Sequence, residues 1–242
     1  MPPMVISASA QQADIVFITI GSAFVYTLDG KVVANCHRQD PRIFERRLIT
    51  VEEAAQAIRG IVDGIRKIKS QKWIASPSAR NDVTRLASDT PHIVFTVSPI
   101  RHMGDGAHGN NLSKATMLLA IEKALQEITS PSGVEYFPSY EIVMDELRDY
   151  RFYANDMIHL SATAEDYIFE RMQQTYFDEA TIANTKRVEK FMKAANHRIV
   201  NDGSAKAVEF ANKYLAEAER LEAEIPELDL GREKESFKKI LG

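Results

Sequence analysis

Apolar positions along the chain fall into two different rhythms. Asp14–Ile20 is β-branched and apolar at nearly every position. An exposed strand would alternate, so this run predicts a strand covered on both faces, as in a parallel sheet. Gly21 ends it, and Asp29-Gly30 predicts a hairpin turn with Lys31–Asn35 as the returning strand. Thr50–Lys69 changes rhythm. Val51, Ala54, Ala55, Ile58, Ile61, Val62, Ile65 and Ile68 form a helical stripe, and Thr50 with Glu53 spells a capping box. Ser70–Pro91, with two prolines and Asn81-Asp82, reads as loop with room for one helical turn.

His92–Val97 is a second continuous apolar run, stopped by Ser98-Pro99. Arg101–Asn111 reads as a polar, glycine-rich loop before a helix from Ser113 to Ile128. Gly133–Phe137 predicts a third short strand and Tyr140–Leu147 a helix. The loop Asp149–His159 then leads into a helix capped by Ser161 that runs to Gln174. From Asp178 the chain becomes charged and alanine-rich. Asp178–Asn196 and Ser204–Glu224 predict an appended helical hairpin, punctuated by Gly203 and Pro226 and followed by a polar tail. Arg198–Lys239 reads as a solvated helix face. The domain reading is an α/β domain over residues 1–176 and a helical extension over 177–242.

Strand–helix alternation predicts a doubly wound α/β sheet, whose ligands sit at the carboxyl ends of the strands. Those ends are Gly21-Ser22, Ser98–His102 and the loop after Phe137. Composition narrows the class without naming a chemistry. The chain has 242 residues, 45% hydrophobic and 26% charged, which excludes disordered and collagen-like classes. Apolar runs of about seven residues are far short of a membrane span, and the N-terminus lacks a signal-peptide pattern. A single cysteine, Cys36, excludes an internal disulfide and fits a reducing, cytoplasmic setting. A net charge of −4 argues against phosphate-driven nucleic-acid binding. No GxGxxG or Walker loop is present, so no nucleotide or flavin cofactor is expected.

Four clusters carry candidate chemistry. Asp156-Met157-Ile158-His159 places a carboxylate three residues before an imidazole. Such a pair supplies a base whose tautomer is fixed by the acid, or is only a loop Asp beside a surface His. His102, Asp105 and His108, spaced three apart, could bind a divalent ion or simply hydrogen-bond backbone and cap the next helix. Gly21-Ser22 after the first strand offers a nucleophile, an oxyanion-side turn or a plain tight turn. Asn35-Cys36-His37 sets a thiol beside an imidazole, although productive Cys–His pairs are usually distant in sequence.

The strings VSPIRHMGDGAHGNNLSKATMLLAIEKAL and YFPSYEIVMDELRDYRFYANDMIHLSATAEDYIFERM resemble the GSCFA family of SGNH/GDSL-like hydrolases. ITIGSAFVY, VVANCHRQ, FERRLITVEEA and the Asn196–Arg198 segment extend the resemblance over about residues 14–200. It implies a flavodoxin-like three-layer α/β/α core and an ester- or acyl-hydrolase relationship, with an acetylated carbohydrate among the possible substrates. It maps the Asp-x-x-His block onto Asp156 and His159 as the catalytic pair. Gly21 and Ser22 fall on the oxyanion side, and Asn35, Arg101 and His102 become pocket candidates. The family's Gly-Ser-Cys-Phe-Ala string, which carries its presumed nucleophilic serine, does not occur in the sequence. The expectation is therefore a chain lacking the opening portion and the nucleophile. It would leave the Asp14–Ile20 strand as an apolar edge needing a second copy or a partner to cover it. The alternatives are a catalytically inactive binding member of the fold and a metal-dependent hydrolase built on His102, Asp105 and His108.

Overall fold

The computed structural model describes residues 13–34, 39–75, 91–128, 133–196, 204–226 and 228–241. The chain divides into two compact units, residues 1–168 and 169–242.

In the first unit, strands β1 (Ile15–Ile20), β5 (His92–Val97) and β6 (Val134–Tyr136) form a parallel sheet in the order β1-β5-β6. β5 lies in the centre and is buried from Ile93 to Val97, as its unbroken apolar run predicts. β1 does not match that prediction. Val16, Ile18 and Ile20 pack on the core, but Phe17 is 38% exposed and Thr19 is exposed as well. β1 is an edge strand among the described residues, and the face of Phe17 and Thr19 is less buried than that of Val16, Ile18 and Ile20. Its β-branched composition reports strand propensity here rather than two-sided burial.

Helix α1 (Val51–Ala75) starts at the predicted capping box. The Glu53 N–H donates to Thr50 Oγ1 at 3.1 Å, and the Thr50 N–H donates to Glu53 Oε2 at 2.9 Å. It continues past Lys69, the predicted end, to Ala75. Helix α2 (Gly106–Glu127) begins earlier than predicted, taking in Gly106–Asn111, which read as loop. The two helices bury small and branched residues against each other and against β5. Ala54, Ala55, Ile58 and Val62 come from α1, and Met117, Ala120, Ile121 and Ala124 from α2; Ile93, Phe95 and Val97 of β5 meet them. Alanines at the helix contact allow close approach. On β5, Thr96 Oγ1 hydrogen-bonds to Ser139 Oγ, which also donates to the Val97 carbonyl at 3.1 Å. Ser139 opens the short helix α3 (Ser139–Glu141), which passes into a π-helical turn at Ile142–Glu146.

A second, antiparallel sheet has the order β3-β2-β4. β2 (Phe24–Leu28) and β3 (Lys31–Val33) form the predicted hairpin. Its turn residues Asp29 and Gly30 have φ of 50° and 74°, the left-handed pair that a two-residue turn of this hand requires. β4 (Glu45–Leu48) pairs with β2 on the other side, with Arg46 opposite Tyr26.

The second unit contains α5 (Glu179–Ala195), α6 (Ala205–Glu224) and α7 (Gly231–Leu241), while α4 (Ala162–Tyr176) spans the division. Asp178 and Ser204 cap α5 and α6. The unit has its own core of Phe191, Ala211, Ala218, Leu221, Leu230 and Phe237, so its helices do not present a merely solvated face. What read as a polar tail is α7, anchored by the buried Phe237. Among the described residues no helix is long and apolar enough to cross a membrane.

Candidate functional site

Tyr153 and Leu160 pair across an antiparallel bridge, and the Ala154 N–H donates to the His159 carbonyl at 2.8 Å. These contacts close the loop that carries Asp156 and His159. Met157 at its tip has a φ of 62°, a left-handed conformation that a methionine adopts only when its surroundings hold it there. Asp156 does so. Its Oδ1 accepts the N–H groups of Ile158 and His159, both at 2.9 Å, and its Oδ2 lies 2.6 Å from His159 Nδ1. Every carboxylate oxygen thus has a donor. The imidazole and the two backbone N–H groups hold the Asp156 carboxyl down at about 2. The carboxylate fixes a proton on Nδ1 of the neutral ring, which leaves the other nitrogen a lone pair for proton acceptance. Both side chains are open, at 63% exposed for His159 and 47% for Asp156.

A second polar cluster sits at the carboxyl ends of β1 and β5. Gly21 and Ser22 leave β1 and meet the first turns of α2. The Ser22 hydroxyl accepts the Phe24 N–H at 3.0 Å and lies 3.3 Å from Ser113 Oγ. The Ala23 N–H donates to Ser113 Oγ at 2.7 Å. These bonds occupy the N–H groups that an oxyanion-side turn would offer at Ala23 and Phe24. No base contacts Ser22 among the described residues. The Gly21 carbonyl accepts Lys114 Nζ at 2.7 Å. Lys114 is buried, and loss of hydration pulls its ammonium down to about 8, against the favourable field of Asp105.

Asp105 anchors the rest of this cluster. Its side chain is 1% exposed. Oδ1 accepts Arg46 of β4, whose guanidinium also lies over the Phe24 ring at 4.2 Å. Oδ2 lies 3.2 Å from His102 Nδ1, but the pair is not aligned as a hydrogen bond, and Oδ2 has no other partner. The His102 N–H donates to the buried Asn110 Oδ1 at 3.0 Å, and the Asp105 N–H donates to the His102 carbonyl at 3.1 Å.

The structure therefore gathers Gly21, Ser22 and His102 at the strand ends, and pairs Asp156 with His159. Arg101 is exposed, and among the described residues no hydrogen bond joins the Asp156–His159 couple to the Gly21–Ser22 turn. Asn35, Cys36 and His37 lie outside the described residues. Among the described residues no three His, Cys, Asp or Glu side chains converge to hold a metal ion, so His108 does not complete a site with His102 and Asp105. Sequence reasoning missed Arg46, Asn110, Ser113 and Lys114. Only the Ser-Lys pair inside a helix-forming stretch could have drawn attention, because a lysine on the apolar side of a helix is uncommon.

Residues 5–172 match the model of the GSCFA family, and residues 188–241 match that of the GSCFA domain protein, C-terminal domain. The first match starts at residue 5, so the expected loss of the family's opening portion is not borne out. No curated protein matches the chain, and no solved structure does.

Proposed function

The chain belongs to the GSCFA family, and from that premise we propose that it is an SGNH-like hydrolase of ester or acyl bonds. In this reading His159 is the general base and Asp156 holds its ring. The parallel order β1-β5-β6 is part of a flavodoxin-like layered sheet, residues 1–176 form the hydrolase domain and 177–242 extend it. The substrate class is an ester or an acetylated carbohydrate met in the cytoplasm.

One observation supports this reading above the others: the 2.6 Å contact between Asp156 Oδ2 and His159 Nδ1, with Oδ1 tied to two backbone N–H groups. A surface aspartate with no task beyond capping a turn would not also need to grip an imidazole. The grip fixes which nitrogen carries the proton and stabilises the imidazolium that forms when the ring takes one. At 63% exposure the ring is open to water or to a hydroxyl nucleophile. Proton transfer of this kind contributes about 10²–10⁴-fold to rate.

A second reading, a binding protein that has lost hydrolysis, draws on Ser22. Its hydroxyl is engaged with the Phe24 N–H and Ser113, and no base reaches it among the described residues. Turnover of p-nitrophenyl acetate, run beside labelling with a fluorophosphonate probe, separates the two. The hydrolase reading expects turnover that falls at least about a hundredfold in His159→Gln, with the labelled residue identifying the nucleophile. Absence of both turnover and label in the folded protein would overturn it in favour of the binding reading.

A further inference from the structure

The Arg46–Asp105 ion pair ties β4 to the start of α2, and that explains one oxygen of Asp105. It does not explain the other. Oδ2 is buried, carries no hydrogen bond, and faces His102 Nδ1 at 3.2 Å. A buried carboxylate oxygen without a donor is costly, so its surroundings should contain the group that satisfies it in use. Among the described residues His102 Nδ1 is the side-chain nitrogen that faces it. Arg46 restrains the carboxylate from turning away, and Asn110 fixes the His102 backbone. The ring itself is 59% exposed, and it stands at the carboxyl end of β5, where open α/β sheets hold their ligands.

We propose that His102, backed by Asp105, is a second proton-transfer group of the hydrolytic site and serves the leaving-group oxygen. This rests on the hydrolase reading above. In ester hydrolysis the tetrahedral intermediate collapses by breaking the bond from the acyl carbon to the alkoxy oxygen, and the electron pair leaves with that oxygen. The proton on the outer nitrogen of His102 passes to it and gives the alcohol. The proton that His159 took from the attacking nucleophile is released to solvent, and His102 takes one back from solvent, so the sum is ester plus water to acid plus alcohol. Asp105 is a positioning residue, whose Oδ2 faces Nδ1 and directs the outer nitrogen of the ring away from the carboxylate. The arrangement selects esters of ordinary alcohols and sugar hydroxyls, whose alkoxides are poor leaving groups. Esters of acidic phenols need the proton far less.

The test compares ethyl acetate with p-nitrophenyl acetate in the wild type, His102→Gln and Asp105→Asn of the full chain. The expected result in His102→Gln is a fall in kcat of about a hundredfold on ethyl acetate and a fall at least tenfold smaller on p-nitrophenyl acetate. Asp105→Asn should show the same skew toward the alkyl ester. His102 is more than half exposed, so its replacement leaves the fold intact, which circular dichroism checks. Equal losses on both esters, or none, in an active enzyme would overturn the proposal. A wild type inactive on both esters would instead overturn the hydrolase reading on which it rests.

Discussion

Two imidazole–carboxylate couples of the first unit are built in opposite ways. In the Asp156–His159 couple the acid precedes the base, the carboxylate is 47% exposed, and three local donors satisfy it. In the His102–Asp105 couple the base precedes the acid, the carboxylate is 1% exposed, and its side-chain donor among the described residues is Arg46 on a distant strand. The first couple is made by a single loop and owes little to the fold around it. The second is also three residues apart in sequence, but its carboxylate is held by Arg46, which requires β4 and the start of α2 to come together. Local construction allows a tight, preorganised base at small cost in stability. Tertiary construction places a charge in the interior, where each missing partner is felt by the whole unit.

That contrast can be broken first by deletion. Asp105→Ala leaves Arg46 and the buried Lys114 without their counter-charge, and is expected to lower the unfolding free energy by about 3–5 kcal/mol in urea titration. Asp156→Ala should shift the same transition far less, because its charge is solvated with or without the loop. Equal shifts would mean that the two couples do not differ in how they depend on the fold.

A smaller effect concerns Lys114. Its ammonium sits at about 8 in the folded chain against an ordinary value of 10.5. Below about pH 8 both folded and unfolded states are charged, and burial costs its full amount. Between 8 and 10.5 the unfolded chain holds more protons, so stability rises with pH, and the cost is gone above 10.5. The difference in stability between the wild type and Lys114→Met should therefore move in favour of the wild type over that window. A difference that is flat in pH would contradict the burial argument.

The smallest effect is on the exposed couple. The Asp156 carboxyl lies at about 2 in the folded chain and 3.8 in its ordinary state. Its contribution is fully present above about pH 4 and is lost as pH falls through about 2. Hydrogen exchange at the Ile158 and His159 amides should accelerate over that range relative to Asp156→Asn, which shows no such step. Unchanged protection down to pH 2 would show that the backbone, not the carboxylate, holds the loop.

The same division between local and distant construction decides what was legible in the sequence. Asp29-Gly30, the Thr50–Glu53 capping box and β5 are each written within a few neighbouring residues and stand as read, and the contact between Asp156 and His159 is equally local. The GSCFA resemblance was legible too, in long strings from β5 onward. β4 was not, since Glu45-Arg46-Arg47-Leu48 shows no alternation and pairs only because β2 is already in place. The start of α2 was hidden by Gly106, Gly109, Asn110 and Asn111, all weak helix formers, held there by contacts such as Asn110 with the His102 N–H. α7 is dense in charge, and its anchor Phe237 gains meaning only beside Phe191 and Phe210. The Arg46–Asp105 pair spans 59 positions, beyond the reach of any spacing rule.

In the proposed hydrolase, Asp156 and His159 act as one unit in taking up a proton. A double-mutant cycle tests this most directly. kcat/KM for p-nitrophenyl acetate is measured in the wild type, Asp156→Asn, His159→Gln and the double variant. The double variant should lose no more than His159→Gln alone, because the carboxylate has nothing left to orient. Losses that multiply across the two positions would show independent roles and contradict it.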